Sequence, residues 1–213
     1  MPAARSSTPS RRARARRGEG PRLREEILAA ATRLLVETGD EEAVSIRAVA
    51  EAVGVTPPSI YLHFADKTEL IFAVCEEQFR QLDAEMAAAE DGAADALEAL
   101  RRRGQAYVRF GLRNAEAYRV LFMYKDHVPE GFDRETMSRS ETFNHLVESV
   151  QRCLDAGVLR PGAPFQISIG LWVLVHGITS LLLAAPGFPW PAEPAELVDR
   201  LIADHLQGLL PAP

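Results

Sequence analysis

The sequence is short of what metal and redox chemistry need. It has two cysteines, Cys75 and Cys153, and five histidines in 213 residues. No cysteine and histidine stand at the close spacing of a zinc ligand set, so neither a metal site nor a cofactor is expected. Both cysteines sit in apolar helical surroundings, which predicts two reduced, buried thiols. Lysine is scarce: arginine supplies 22 of the 24 basic residues. That bias fits a GC-rich coding sequence as well as it fits a function. There is no Gly-rich phosphate loop and no Gly-x-Ser-x-Gly elbow. Serine, histidine and aspartate occur without diagnostic spacing, so no catalytic residue is assigned and an enzyme is not expected. No segment alternates with period two, which leaves strands without a signal. Only one apolar run is long, from Ile167 to Ala185. It approaches the length of a membrane span, but Gly170, His176 and Gly177 interrupt it. It is read as a buried helix of a non-membrane protein. The arginine-rich start is followed by no apolar stretch, so it is not a secretory signal, and a cytoplasmic location is expected.

What is present points to helices. Leu, Ala, Val, Glu and Arg dominate a chain that is 47% hydrophobic. The net charge of −6 alone argues against a nucleic-acid partner. Its distribution matters more. Residues 1–70 hold 11 basic and 10 acidic side chains, and all seven units of the remaining negative excess fall after them. Residues 1–20 hold no large apolar side chain after Met1, so this basic tail is expected to be disordered. It either adds non-specific phosphate attraction or is merely solvated.

The spacing predicts a first helix over 21–38, with Leu23, Ile27, Ala30, Ala31, Leu34 and Leu35 on one stripe and Gly39 as its stop. Ser45 is an N-cap for a helix from Ile46 to about Val53. Thr56 is read as the cap of a third helix, with Pro57 and Pro58 in its first turn, where missing N–H groups cost nothing. Asp66 and Glu69 form a capping-box variant that opens a fourth helix reaching about Ala89. Further helices are expected at 94–112, 115–124, 133–156, 162–184 and 194–209. The breaks fall at Asp91-Gly92, Pro129–Gly131, Gly157–Pro164 and Pro186–Pro194.

The segment from Ser45 to Phe64 reads as a helix-turn-helix. Two short helices cross at a tight turn, which requires a small residue, Ala50, and a positive φ, which Gly54 allows. Ile46, Val49, Val53, Val55, Ile60 and Leu62 are the candidates for inward packing, and Phe64 belongs to the core. Pro57, Pro58, Ser59, Tyr61 and His63 remain to face a major groove. With Gly54-Val55, Tyr61, His63-Phe64 and Lys67 in this order, the stretch from Val44 to Leu70 resembles the N-terminal domain of the TetR family of bacterial regulators. This resemblance covers about residues 21–75. Trp172, His176 and Gly177, in a Trp-x-x-x-His-Gly pattern, resemble a C-terminal domain subtype of the same family.

The resemblance implies an all-α protein divided into a basic tail at 1–20, a DNA-binding domain at 21–66 and a helical effector-binding and dimerisation domain at 67–213. It implies that Thr56, Pro57, Pro58 and Ser59 approach bases and phosphates, and that Tyr61 and His63 contact the backbone. Lys67, at the start of the fourth helix, and Ser45 and Arg47, at the start of the second, are further phosphate candidates. Pro58 can make only apolar contacts, as with a thymine methyl. Tyr61 packed on the fourth helix and His63 as a solvated histidine remain the alternatives.

For the second domain the resemblance implies a small-molecule pocket and a dimer formed by the last two helices. The ligand candidates are Tyr107, Phe110, Phe122, Met123, Phe143, Asn144, Trp172 and His176, with His145 as a further polar group. Any of the aromatics is equally read as ordinary core, and His176 as a satisfied core histidine. Phe188 and Trp190 pack either on a partner or on their own subunit. The function expected is a ligand-responsive repressor that leaves a palindromic operator on binding an apolar or aromatic effector. The alternatives are a helical adaptor or small-molecule-binding protein without DNA binding, and an enzyme.

Overall fold

A computed structural model describes residues 20–40, 43–122 and 141–211. The expectations for the basic tail, for Met123 and for the first turns of the helix begun at 133 fall outside these residues. Among the described residues there are nine helices and no strand. Packing divides the chain into two units, Met1–Glu77 and Gln78–Pro213.

In the first unit, α1 (Gly20–Thr38) buries Ile27, Ala30, Ala31 and Leu35. Ala30 and Ala31 follow Ile27 by three and four residues and Leu35 follows Ala31 by four, so all share one side of the helix. The helix stops at Gly39, whose φ is +61°. Ser45 holds extended geometry, and its hydroxyl accepts the Ala48 N–H at 3.1 Å, capping α2 (Ile46–Val53). At Gly54, φ +76°, the chain turns, and Val55 N–H donates to Ala50 O at 2.9 Å. Then come α3 (Pro57–Ile60) and α4 (Lys67–Glu90). α1 packs on α2 and α2 on α3. Val44, Val49, Ala50, Ile60, Phe64, Leu70, Ile71 and Val74 are buried in this unit. Each large apolar side chain removed from water here contributes roughly 1.5–3 kcal/mol.

The second unit is built around α5 (Ala96–Arg113), which packs against α6 (Ala115–Phe122), α7 (Glu141–Asp155), α8 (Pro164–Ala184) and α9 (Pro194–Gln207). Asp95 caps α5 by accepting the Glu98 N–H at 2.8 Å. Two glycines let neighbours approach α5. A Cβ at Gly104 would stand 3.3 Å from Ile202 Cδ1, and one at Gly111 would overlap Thr179 Cγ2. Cys153 is buried and its thiol donates to Ala96 O at 3.2 Å. Burial pushes that thiol up to about 11. Cys75, expected to be buried too, is only half-buried.

α8 has a mean hydropathy of 2.0 over an 18-residue window, yet only 33% of that window is buried. Leu171, Val175, Ile178 and Leu182 face the core, whereas Val173 and Leu181 are 58% and 57% exposed. The buried helix expected from the sequence is therefore buried on one side only. Beyond its end, Trp190 turns back onto its own chain, with its indole N–H donating to Ala185 O at 3.1 Å, while Phe188 stacks on Trp190 and stays exposed.

Candidate nucleic-acid interface and effector site

Four residues make α3, and their chemistry decides what the surface offers. Pro57 and Pro58 have no N–H. Ser59 N–H, the first one available, donates to Thr56 O at 2.8 Å. Thr56 has N-cap geometry, but its hydroxyl makes no cap bond, because no backbone donor is left for it. It pairs instead with Ser59 Oγ at 3.1 Å. This corrects the expected capping role of Thr56 and leaves a hydroxyl pair at the surface.

After Ile60 the chain continues through a further turn, with Tyr61 at φ −63°, His63 N–H on Ile60 O at 2.9 Å and Phe64 N–H on Ile60 O at 3.1 Å. Ile60 and Phe64 are four residues apart and both are buried. Leu62, between them, is turned the other way and is 82% exposed. The expectation that Leu62 packs inward is thus overturned. Pro58, in α3, and Leu62, in the turn after it, are both exposed.

Ser45, Arg47, Thr56, Pro57 and Pro58 are exposed, while Ser59, His63 and Lys67 are half-buried. Tyr61 is 55% exposed. Lys67 is the first residue of α4. There, Asp66 Oδ1 accepts the Glu69 N–H at 2.8 Å and Glu69 Oε2 accepts the Ala65 N–H at 2.5 Å. The box closes one residue upstream of the expected N-cap nitrogen. Those two donors are engaged by carboxylates, so a phosphate near Lys67 depends on the ammonium more than on free backbone N–H groups. The Arg24 guanidinium lies 5.0 Å over the Phe64 ring, a cation–π contact that the sequence reading did not anticipate.

In the second unit, four of the candidate residues, Tyr107, Phe122, Trp172 and His176, lie together. Phe122 and His176 are 5.0 Å apart between ring centroids, Trp172 and His176 5.3 Å, and Tyr107 and Phe122 6.3 Å. Tyr118 and Phe79 complete the cluster, 4.8 Å and 5.5 Å from Phe122. Neither was among the candidates. Tyr118, three residues after Ala115 in a predicted helix, had the residue type but no spacing signal to separate it from core.

The polar centre of this cluster is His176. The Tyr118 hydroxyl lies 2.7 Å and the Tyr107 hydroxyl 3.1 Å from its Nδ1. Burial pushes both phenols up and the imidazole down. At neutral pH the hydroxyls keep their protons and the ring is neutral. One ring nitrogen therefore carries a proton and the other accepts, and Nδ1 is the nitrogen that the two hydroxyls share. Tyr118 also lies 3.4 Å from Ser180 Oγ.

The other candidates lie elsewhere. Phe110 is fully buried in the core, Phe143 pairs edge-on with Phe165 at 5.4 Å, and Asn144 is half-buried on α7. His145 Nδ1 lies 2.7 Å from Asp83 Oδ2. Asp83 belongs to a buried ion network around Arg103, which is 3% exposed. Arg103 donates to Asp83 Oδ1 and Glu90 Oε1, both at 2.9 Å. Glu90 also accepts from Ser149 at 3.0 Å and from Arg152 at 2.6 Å. Two surface cavities are separate from the aromatic cluster. One, of about 350 Å³, lies between Gln105, Arg109 and Asp199; the other, of about 280 Å³, is apolar and lined by Val173, Leu181, Trp190 and Leu201.

Comparison with known proteins places both halves of the chain. Residues 27–74 match the family described as "Bacterial regulatory proteins, tetR family". Residues 100–205 match "Tetracyclin repressor-like, C-terminal domain". Over 107 residues the chain is 30% identical to the HTH-type transcriptional activator FasR of Mycolicibacterium smegmatis, a match covering 50% of this chain and 48% of that protein. The match thus spans about half the length of this curated relative. Among solved structures, a protein of unknown function from Rhodococcus sp. RHA1 is 27% identical with a TM-score of 0.76, covering 89% of this chain and 96% of that one. A TetR-family transcriptional regulator from Pectobacterium atrosepticum is 24% identical with a TM-score of 0.66, covering 93% and 100%.

Proposed function

The chain belongs to the TetR family of bacterial transcriptional regulators, and from that premise we propose that it is a cytoplasmic repressor released from a palindromic operator by a small apolar or aromatic effector. Residues 21–66 serve as the DNA-binding domain and 67–213 as the effector and dimerisation domain. Catalysis has no part in this reading.

The observation that carries it is the outward presentation of Thr56, Pro57, Pro58 and Tyr61 over a buried Ile60 and Phe64. Thr56, Pro57, Pro58 and Ser59 meet base edges, while Ser45, Arg47, Tyr61, His63 and Lys67 hold phosphates and set the register. The effector binds at the cluster of Tyr107, Phe122, Trp172 and His176. That cluster is aromatic and uncharged at neutral pH, with the His176 imidazole and the two phenol hydroxyls as its polar groups. It suits a flat or apolar molecule with a polar atom. Met123, Phe143 and Asn144 are kept as further candidates to contact the effector, and Phe110 supports the cluster from the core. Two copies pair through α8 and α9, and their two-fold symmetry matches the operator.

α4 runs from Lys67 to Glu90 and so has residues in both units. Effector binding shifts α4 and changes the separation of the two recognition helices in the dimer. The coupling is reciprocal, so the operator weakens effector binding by the same factor.

Selection of bound fragments from random DNA tests the reading, repeated with Tyr61→Phe and Lys67→Ala. A palindromic site is expected, with both variants weakened and the salt slope reduced for Lys67→Ala. No enriched sequence would leave the adaptor reading. Activation is the second reading, favoured by the 30% identity to a protein named as an activator. Reporter output from the selected site, with and without the protein, separates the two signs.

A further inference from the structure

The recognition surface lacks the side chains that read bases by paired hydrogen bonds. Between Arg47 and Lys67 the sequence contains no Arg, Lys, Asn or Gln. Guanine is most often read by a bidentate Arg or Lys and adenine by a bidentate Asn or Gln. This helix-turn-helix can make neither pairing from within that stretch. Its hydroxyls, on Thr56 and Ser59, lie 3.1 Å apart, and either can serve any base.

What the surface does offer is apolar. Pro57 and Pro58 are exposed at the start of α3. Leu62 follows Pro58 by four residues and is 82% exposed, with Ile60 and Phe64 on the opposite, buried side. Nothing in the fold of this unit requires a leucine at 62. An exposed leucine beside two prolines has one complementary feature in a major groove, the C5 methyl of thymine.

We propose that Pro58 and Leu62 are specificity-determining residues that read thymine methyl groups, so that thymine positions specify the part of the half-site that this stretch faces. This rests on the DNA-binding reading above. Cations flank the reading stretch at Arg47 and Lys67, and any phosphate contact they make supplies affinity without sequence information.

The test uses the full chain and the duplex recovered by selection from random DNA. Each thymine in the half-site is replaced in turn by deoxyuridine, which lacks only the methyl. At the positions read, affinity falls roughly fourfold for each methyl lost, the size set by the transfer of one buried methyl. Replacing such a T·A pair by C·G weakens binding, and 5-methylcytosine at the same place recovers part of the loss. Leu62→Ala and Pro58→Ala each abolish the deoxyuridine effect at one position and leave the slope of affinity against salt unchanged. Neither variant removes a buried group, and the DNA substitutions do not touch the protein at all. A guanine-specified site that is indifferent to deoxyuridine and to Leu62→Ala would overturn the inference while leaving DNA binding intact. Failure to select any sequence would overturn the reading beneath it.

Discussion

Gly111 sits where α5 meets α8, and the space left for it is smaller than a methyl group. A Cβ there would overlap Thr179 Cγ2 and stand 3.0 Å from the Tyr118 ring. Thr179 is itself fixed, with its hydroxyl donating to Val175 O at 2.7 Å. Gly111→Ala is therefore expected to lower stability by about 1–3 kcal/mol through overpacking, read as a lower urea midpoint at unchanged slope. An unchanged midpoint would show that the two helices can part freely. His176 yields a second prediction. Burial holds its folded pKa below the ordinary histidine value. The unfolded chain takes up its proton near pH 6.5, the folded chain only at lower pH, so acidification from pH 7 favours unfolding. Melting temperature should fall between pH 7 and pH 5, and less steeply in His176→Gln. His205, also lowered by burial, contributes the same sign and sustains the remaining slope. Single residues were legible in the sequence where local chemistry decides them. Ser45 as a cap and Gly54 at positive φ follow from the turn alone. Thr56 did not, because a cap needs a donor, and two prolines plus the Ser59–Thr56 backbone bond remove every one. Leu62 did not either, since apolarity alone does not say which way a side chain faces in the turn that follows a four-residue helix.

Three arginines in a row lie in the second turn of α5, and only Arg103 is fully buried. Its position was readable: Leu100, Arg103, Ala106, Tyr107 and Phe110 fall on one helical stripe, and all are buried. Its partners were not readable, because Asp83 and Glu90 lie on α4, and His145, Ser149 and Arg152 on α7, far along the chain. The network ties these three helices together within the second unit. Arg103→Ala would take the buried cation from two mostly buried carboxylates, leaving Asp83 only His145 and Glu90 only Ser149 and Arg152 among the pairings above. The expected loss is about 3–5 kcal/mol, the usual cost of breaking a buried pair from one side. Denaturant unfolding of Arg103→Ala measures it, and a triple change with Asp83→Asn and Glu90→Gln should recover much of the loss. If the triple variant is no better than Arg103→Ala, the cost lies in packing and not in charge. Helix boundaries, by contrast, were legible almost to the residue for α2, α4 and α9, where Ser45, Asp66 and Pro194 mark the starts. The α5 start was set by Asp95, whose carboxylate competes in the sequence with several other acidic residues nearby.

For the whole molecule, the open side of α8 and α9 is the face on which the proposed pairing of two copies rests. Val173 and Leu181 are exposed on a helix apolar enough to enter a membrane, and together with Trp190 and Leu201 they line an apolar hollow of about 280 Å³. The sequence showed the apolar run but could not show that only one side of it is used internally, since its residues are apolar all round. A second copy applied by two-fold symmetry would cover this face. A stable interface of that kind buries on the order of 1,600 Å² in total, and apolar side chains at its centre carry most of the binding free energy. Val173→Glu with Leu181→Glu puts four charges into that centre without disturbing any residue now buried. The pair of changes should convert a dimer to monomer in sedimentation at micromolar concentration, with the helical circular dichroism unchanged. Operator affinity should fall to that of a single half-site, because a monomer loses the second reading head and the effective concentration that comes with it. A doubly charged variant that still sediments as a dimer would move the interface away from α8 and α9. One that is monomeric yet binds the full site as tightly as before would separate dimerisation from recognition.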